Sequence, residues 1–441
     1  MRTPSFQSHR ALSHIRRSVA DEISRVSRYC DEVLQCFPLA HDRGELLSRV
    51  DCDHKRVVSD LDSLPGPEPE RRRLVLLNGS LNHDFDVQAT LGRLLPFVHR
   101  GDRIALVLYN PYLRGLYRAA NRLGIREGEA PSTFITHSAI ENLAAISGYE
   151  VVRSRPAGFV PTRVLAPLNR VLGALAGVRE LSLARVVFLR PSRPAPTQPS
   201  LSVVVPARNE RGNIENALKG LRPLNAAVDL EVIFVEGHSS DGTWEEIERV
   251  VGAYGDEFQL KMFRQSGKGK NDAVRLGFAH ASKDLLTILD ADLTMPPTML
   301  KRFYDAYTQG RGDFINGSRL VYPMEGEAMR FLNHLGNVFF AKALSAVLEN
   351  PLSDSLCGTK LLARRDYERV VAWRQDFGDF DPFGDFELLF AASVLAMGTV
   401  DVPVRYLART YGSTNISRFR HGLELLRMTA IGASRVRSGA G

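Results

Sequence analysis

The chain has 441 residues, too many for one ordinary core and enough for two large units or three smaller ones. Hydrophobic residues make up 44% and charged residues 24%, which excludes a chain disordered throughout. The formal net charge of +7 is uneven: residues 1–200 hold 28 basic and 20 acidic side chains, and residues 201–441 hold 29 and 30.

Residues 1–64 read as a helical N-terminal region without the apolar core of a signal peptide. Cys30, Cys36, Cys52 and Cys357 lack the number and spacing of a disulfide framework or a paired metal site, and they fit a reducing compartment. A proline cluster from Leu64 to Glu70 precedes a region, 65–190, in which apolar strands alternate with helical patterns. Strands are predicted at 74–80, 103–110, 150–155 and 184–191, with helices at 87–98, 138–149 and 164–178. Such alternation implies a layered α/β sheet. Residues 151–200 carry eight arginines against Glu180 alone, which predicts a solvated basic face or a surface for anionic lipid or phosphate. The stretch PSRPAPTQPS, 191–200, has four prolines in ten residues and reads as a stiff linker.

Residues 76–111, LLNGSLNHDFDVQATLGRLLPFVHRGDRIALVLYNP, resemble the second half of a class I S-adenosylmethionine-dependent methyltransferase fold. The glycine-rich loop of that family would lie near residues 30–60, where this chain has only Gly44 and no G-x-G. Without close backbone approach the cofactor loses its seat, so a degenerate, non-catalytic domain is expected.

After the linker, LSVVVPARNE (201–210) is an apolar strand ending in polar residues, and EVIFVEGHSSDGT (231–243) repeats the design into a helix start at Asp241. Ligands of open α/β sheets bind at such strand ends. GKGKN (267–271) is a glycine–lysine loop opening a helix, and LLTILDADL (285–293) is a strand ending in Asp290 and Asp292. Two carboxylates one residue apart repel each other unless a cation lies between them, and hard oxygen donors suit Mg2+ or Mn2+. The pattern in 330–352 places Leu332, Leu335, Phe339 and Leu348 or their neighbours on one helical face, and no run approaches the ~18 apolar residues of a membrane span.

In this order PARNE, VEGHSSDGT, the Lys268 loop and DAD resemble family 2 glycosyltransferases of the GT-A fold. The likeness is nearest the branch of dolichyl-phosphate mannose and polyprenyl-phosphate sugar synthases. It continues through INGSRL (315–320), DSLCGTKLL (354–362), FGDFELLF (383–390) and VPVRYLARTYGSTNISRF (402–419), and so covers most of 201–430, leaving 431–441 as a tail. The resemblance implies an α/β chain: a C-terminal GT-A, Rossmann-like nucleotide-sugar domain preceded by the smaller methyltransferase-like one. It implies an inverting transferase that moves a sugar from a nucleotide donor to a polyprenyl phosphate or a sugar. Pro206, Asn209, Glu210, Glu236 and Asp241 would line the nucleoside site, Asp290 and Asp292 would hold the metal and through it the diphosphate, and Lys268, Arg319 and Arg409 would lie near phosphates. Asp385 would serve as general base toward a hydroxyl acceptor, with Glu387 beside it. One departure stands out: the second strand ends in Glu236-Gly237 where the family usually has two consecutive acids. A cytoplasmic bacterial protein is expected, peripheral on an anionic membrane through the 330–348 helix and the arginines of 151–200, with no nucleic-acid partner. Two other functions fit the same sequence: a non-catalytic nucleotide-sugar-binding scaffold, and a bifunctional methyltransferase–glycosyltransferase.

Overall fold

The computed structural model describes residues 6–126, 128–159, 178, 181–322, 331–379, 381, 384–412 and 418–434. The helix expected at 164–178 lies almost wholly outside the described residues. Two compact units emerge, one of residues 1–193 with 394–396 and one of 194–393 with 397–441.

In the first unit, α1 (Phe6–Ser27) leads into β1 (Glu32–Cys36), α2 (Glu45–Arg49), β2 (Lys55–Val58) and β3 (Arg73–Asn78). Then come α3 (Val87–Leu94), β4 (Arg103–Tyr109), α4 (Arg114–Arg122), α5 (His137–Ile146), β5 (Tyr149–Ala157) and β6 (Ala184–Pro191). The sheet order is β2-β1-β3-β4-β6-β5, parallel through β4, with β6 antiparallel to both β4 and β5. Residues 1–64 are therefore not a separate helical region: β1 and β2 supply one side of this sheet. Both are short, and β2 is exposed along three of its four residues, so neither carries a periodic signal. Each face of the sheet has its own apolar core, one around Leu91, Leu106, Ile140 and Val187, the other around Ile23, Leu74, Ala105 and Phe188. The arginine surplus of 151–200 does not form one solvated face. Arg153, Arg155 and Arg190 are buried, with Arg190 paired to Glu150 and Arg153 to Glu22.

The second unit continues with β7 (Leu201–Ala207), α6 (Ile214–Asn225), β8 (Leu230–Glu236), α7 (Thr243–Tyr254), β9 (Gln259–Arg264), α8 (Lys270–Ala279) and β10 (Leu285–Ile288). It ends with α9 (Leu300–Thr308), β11 (Phe314–Ser318), α10 (Phe331–Leu348), β12 (Lys360–Ala363), α11 (Arg364–Phe377), α12 (Asp385–Val394), β13 (Thr399–Pro403) and α13 (Arg418–Gly432). Its sheet order is β13-β11-β12-β10-β7-β8-β9. β10, β7, β8 and β9 run parallel, and β12 is antiparallel to its neighbours β10 and β11. β7 and β8 are apolar because helices cover both faces of a parallel sheet; all seven residues of β8 are buried.

The chain leaves β7 toward β8 and β9, then returns to the other side of β7 for β10. The crevice at this reversal, beyond the carboxyl ends of β7 and β10, is where such sheets hold ligands. Gly277 lets α8 lie close on β7: a Cβ there would sit 2.4 Å from Val204 Cγ1. That contact fixes the N-terminus of α8, and so Lys270, at the crevice. Of the apolar face expected in α10, Phe339 is 58% exposed and Leu348 is buried, and the side chains of Leu332 and Leu335 lie outside the described residues. No described helix is long and apolar enough to cross a membrane.

Candidate active site

The loop after β7 turns at Asn209, whose φ of 56° is a left-handed conformation that asparagine tolerates. Its N–H donates to Ser239 Oγ at 2.9 Å and its Oδ1 accepts from Ser240 N at 2.9 Å, so the loops after β7 and β8 are tied together. Asp241 caps the start of α7. Its Oδ1 accepts from Thr243 N at 3.0 Å and from the Thr243 hydroxyl, and Oδ2 accepts from Arg211 N and Tyr411 Oη, both at 3.2 Å. Burial alone would raise the Asp241 carboxyl, but these donors hold it below its ordinary range. Glu236 is buried and turned into its own loop, accepting from Ser239 N. Gly237 spends its N–H on Ala207 O at 2.9 Å, so the position that departs from the family pattern is backbone-paired.

Glu210 is buried, accepts from Asn213 Nδ2 at 2.7 Å and meets Arg409 Nη1 at 3.0 Å. Burial pushes its carboxyl above the ordinary range, against the pull of Asn213 and Arg409. The other fork of Arg409, Nη2, reaches Asp292 Oδ2 at 2.7 Å. Asp292 Oδ1 is oriented by Thr294 N at 3.1 Å and Thr294 Oγ1 at 2.8 Å. The segment after β13 thus crosses the crevice, held by Leu407 N to Thr294 O at 2.8 Å, by Arg409 and by Tyr411.

Asp290 pairs with Lys270 Nζ at 2.6 Å. Burial lowers the Lys270 ammonium, but the Asp290 and Asp385 carboxylates outweigh it and raise it overall. Gly358 abuts this pair: a Cβ there would lie 2.2 Å from both Asp290 Oδ2 and Lys270 Nζ. Asp385, the first residue of α12, is buried, and its Oδ1 has no hydrogen-bond partner. The nearest cation to that oxygen is Lys360 Nζ at 3.9 Å, itself buried and donating to Asn316 Oδ1 at 3.0 Å and to Cys357 O.

Asn209, Glu210, Asp241, Asp290, Asp292, Arg409 and Asp385 therefore gather around one crevice. Pro206 forms the strand end behind Asn209 and is half-buried. Four expected residues stand apart from that role, the first being Glu236 with its carboxylate turned into its own loop. Lys268 is exposed and makes no ion pair among the described residues, and Lys270, two residues on, takes the carboxylate instead. Arg319 is locked by Asp354, Nε to Oδ2 at 2.7 Å and Nη2 to Oδ1 at 2.9 Å, with its guanidinium 5.4 Å from the Tyr406 ring centroid. The Asp354 carboxyl would be raised by burial, yet Arg319 holds it below its usual range. Glu387 does not face the crevice; it is buried and pairs with Arg374 Nη1 at 2.9 Å and with Arg275, whose other partner, Asp379, is exposed. The sequence marked Lys270 only as the second lysine of GKGKN, and Asp354 and Lys360 only as parts of a longer likeness.

Residues 202–371 match the family model described as Glycosyl transferase family 2. The second unit carries a family 2 glycosyltransferase domain. This matched span is shorter than the 201–430 of the sequence resemblance. A dolichol-phosphate mannosyltransferase of Pyrococcus furiosus is 33% identical over 122 residues, 27% of this chain and 33% of that protein. A dolichyl-phosphate hexose transferase of Haloferax volcanii is 27% identical over 222 residues, 50% of this chain and 89% of that protein. The chain thus spans a third of the first relative's length and most of the second's. Among solved structures, glucosyl-3-phosphoglycerate synthase from Mycobacterium tuberculosis aligns with 19% identity and a TM-score of 0.39, covering 55% of this chain and 81% of that one.

Proposed function

We propose that the second unit transfers a hexose from a nucleoside-diphosphate sugar to a polyprenyl phosphate, with inversion at the anomeric carbon. The observation that carries this reading is the crevice itself: Asp290 and Asp292 at the end of β10, each balanced by a side-chain cation, Lys270 and Arg409. A bare pair of like charges would repel an anionic donor. Here the two cations can turn from carboxylates to diphosphate oxygens when the donor enters. The names of the two relatives support a lipid-phosphate acceptor. Such an acceptor oxygen is already anionic and needs no base. A hydroxyl acceptor would instead need Asp385, whose unpaired Oδ1 can accept the proton as the oxygen attacks.

The donor set fits a divalent ion of the Mg2+ or Mn2+ type. Asp290 and Asp292 offer hard oxygens, and the described residues contain no group of three His, Cys, Asp or Glu that could hold a metal. Such a pair suits an ion that arrives on the diphosphate and fills its remaining sites with phosphate oxygens and water. When bound, the ion would neutralise charge on the departing nucleoside diphosphate. The chain's own residues do the rest: Asn209 and Asp241 shape the nucleoside edge, Glu210 and Thr294 orient Arg409 and Asp292, and Lys270 balances Asp290.

We also infer that the first unit is a methyltransferase-like domain without a working cofactor seat. Its alternating α/β sheet supports this. So does the stretch 30–60, in which Gly44 is the single glycine and no G-x-G occurs. The deciding experiment is release of nucleoside diphosphate from a panel of UDP- and GDP-sugars, with and without polyprenyl phosphate and with and without chelator. Turnover that needs the lipid phosphate is expected. Binding without turnover under every condition would replace the enzyme by a scaffold.

A further inference from the structure

The carboxyl edge of the first sheet carries a helix that the domain leaves largely uncovered. α4 is anchored by Tyr117, whose hydroxyl accepts from Asn110 N at 3.1 Å and donates to Leu183 O, and whose ring packs against Tyr109 and Phe134. Tyr117 is its only buried residue. Residues 112–126 contain four arginines and no acidic residue. Arg114, Arg118 and Arg122 recur every four positions and so line one flank of the helix. Leu116 and Leu123, seven apart and 53% and 73% exposed, line the other. Tyr112 and Ile125, just beyond the two helix ends, are 67% and 43% exposed. Arg118 and Arg122 make no hydrogen bond or ion pair among the described residues, while Arg114 stands 5.4 Å from the Phe134 ring centroid. Asp84 and Asp86, in the loop after β3, accept from Thr90 and Ala89 at the start of α3 and make no ion pair with the stripe among the described residues.

We propose that α4 is an interfacial helix that seats the protein on an anionic lipid surface. A nucleic acid, or a protein surface of acidic side chains alone, would satisfy the arginines and leave Leu116 and Leu123 in water. A bilayer takes both flanks at once, the leucines at the acyl boundary and the guanidinium groups at headgroup phosphates. The surface differs from the two expected from sequence, the 151–200 arginines and the 330–348 helix. It stands independently of the transferase reading, because vesicle binding needs neither donor nor acceptor.

The test is co-sedimentation of the full chain with phosphatidylcholine vesicles and with vesicles that contain about one-third phosphatidylglycerol. Binding to the anionic vesicles alone is expected, lost at about 0.5 M salt as screening shortens the field's reach. Arg118→Gln with Arg122→Gln should weaken that binding by roughly tenfold or more, two charges being removed from the headgroup region. Leu116→Gln with Leu123→Gln should weaken it comparably at unchanged net charge. Both pairs are exposed, so circular dichroism should match the parent. Equal binding to neutral vesicles, no binding to either, or parental binding by both double variants overturns the proposal. Binding of a soluble polyanion that is lost with the arginines, without vesicle binding, would make α4 a polyanion site instead.

Discussion

Gly358→Ala gives the sharpest test of the crevice. The new Cβ would lie 2.2 Å from Asp290 Oδ2 and from Lys270 Nζ. Real carbon contacts to such atoms begin above about 3 Å, so one or both side-chain ends must retreat by roughly 1 Å. The atoms displaced are the far ends of flexible side chains, and Gly358 does not occupy a left-handed conformation, so the fold has room to absorb the change. The stability cost should stay below about 1 kcal/mol, or a few degrees of melting temperature in a unit of this size. Catalysis has no such latitude: a misplacement of about 1 Å at reacting groups can cost on the order of a hundredfold in rate. The measurement is kcat for nucleoside diphosphate release beside a thermal melt of the same preparation. A hundredfold loss with a nearly unchanged melt is expected. Activity within threefold of the parent would mean that the Lys270–Asp290 pair does not handle the donor, and the crevice would have to be placed elsewhere.

Asp292→Asn removes one of the two carboxylates that hold the fork of Arg409, leaving Glu210, and should abolish transfer while the melt is retained; full activity in metal-stripped buffer would end the divalent-ion reading. Glu387→Gln should instead destabilise, by about 3 kcal/mol or more, because Arg275 and Arg374 lose a buried counter-charge; an unchanged melt with lost activity would return Glu387 to the site. Asp385→Asn should keep turnover with polyprenyl phosphate within tenfold, and a thousandfold loss at an unchanged melt would show base catalysis and so a hydroxyl acceptor. Glu231 is buried beside Ser202, Ser282 and Lys261; burial alone would raise its carboxyl, but those partners hold it down at about 2. Its contribution, on the order of 3 kcal/mol, is present above its ordinary value near 4.5 and fades as pH falls toward 2. Glu231→Gln should therefore flatten the stability–pH curve over that window in urea melts, and a slope equal to the parent's would refute the assignment.

Local signals carried much of the molecule. Strands buried on both faces read as apolar runs, so parallel β3, β4, β7, β8 and β10 and antiparallel β6 are legible without neighbours. The carboxylates of Asp290 and Asp292 are legible too, since two acids at a strand end have a chemical meaning of their own. Short or half-exposed strands such as β1, β2 and β9 are not, because their pairing comes from the sheet rather than from their own periodicity. The same limit applied to charge. Arginines counted along 151–200 suggested a surface, yet Arg153, Arg155 and Arg190 are buried, because long side chains can be drawn inward where the fold brings up a carboxylate, Glu22 of α1 for Arg153 and Glu150 of β5 for Arg190. Between Lys268 and Lys270 the sequence offers no choice; Gly277 decides it by letting α8 pack against Val204, which brings the N-terminal lysine of that helix to Asp290. Glu387 reads as a site residue beside Asp385, but two steps along a helix turn a side chain by about 200°, and tertiary packing put Arg275 and Arg374 on its side and the crevice on the other. Residue types and spacing thus determined the chemistry available to this protein; which of those groups face one another depended on long-range packing that no local window contains.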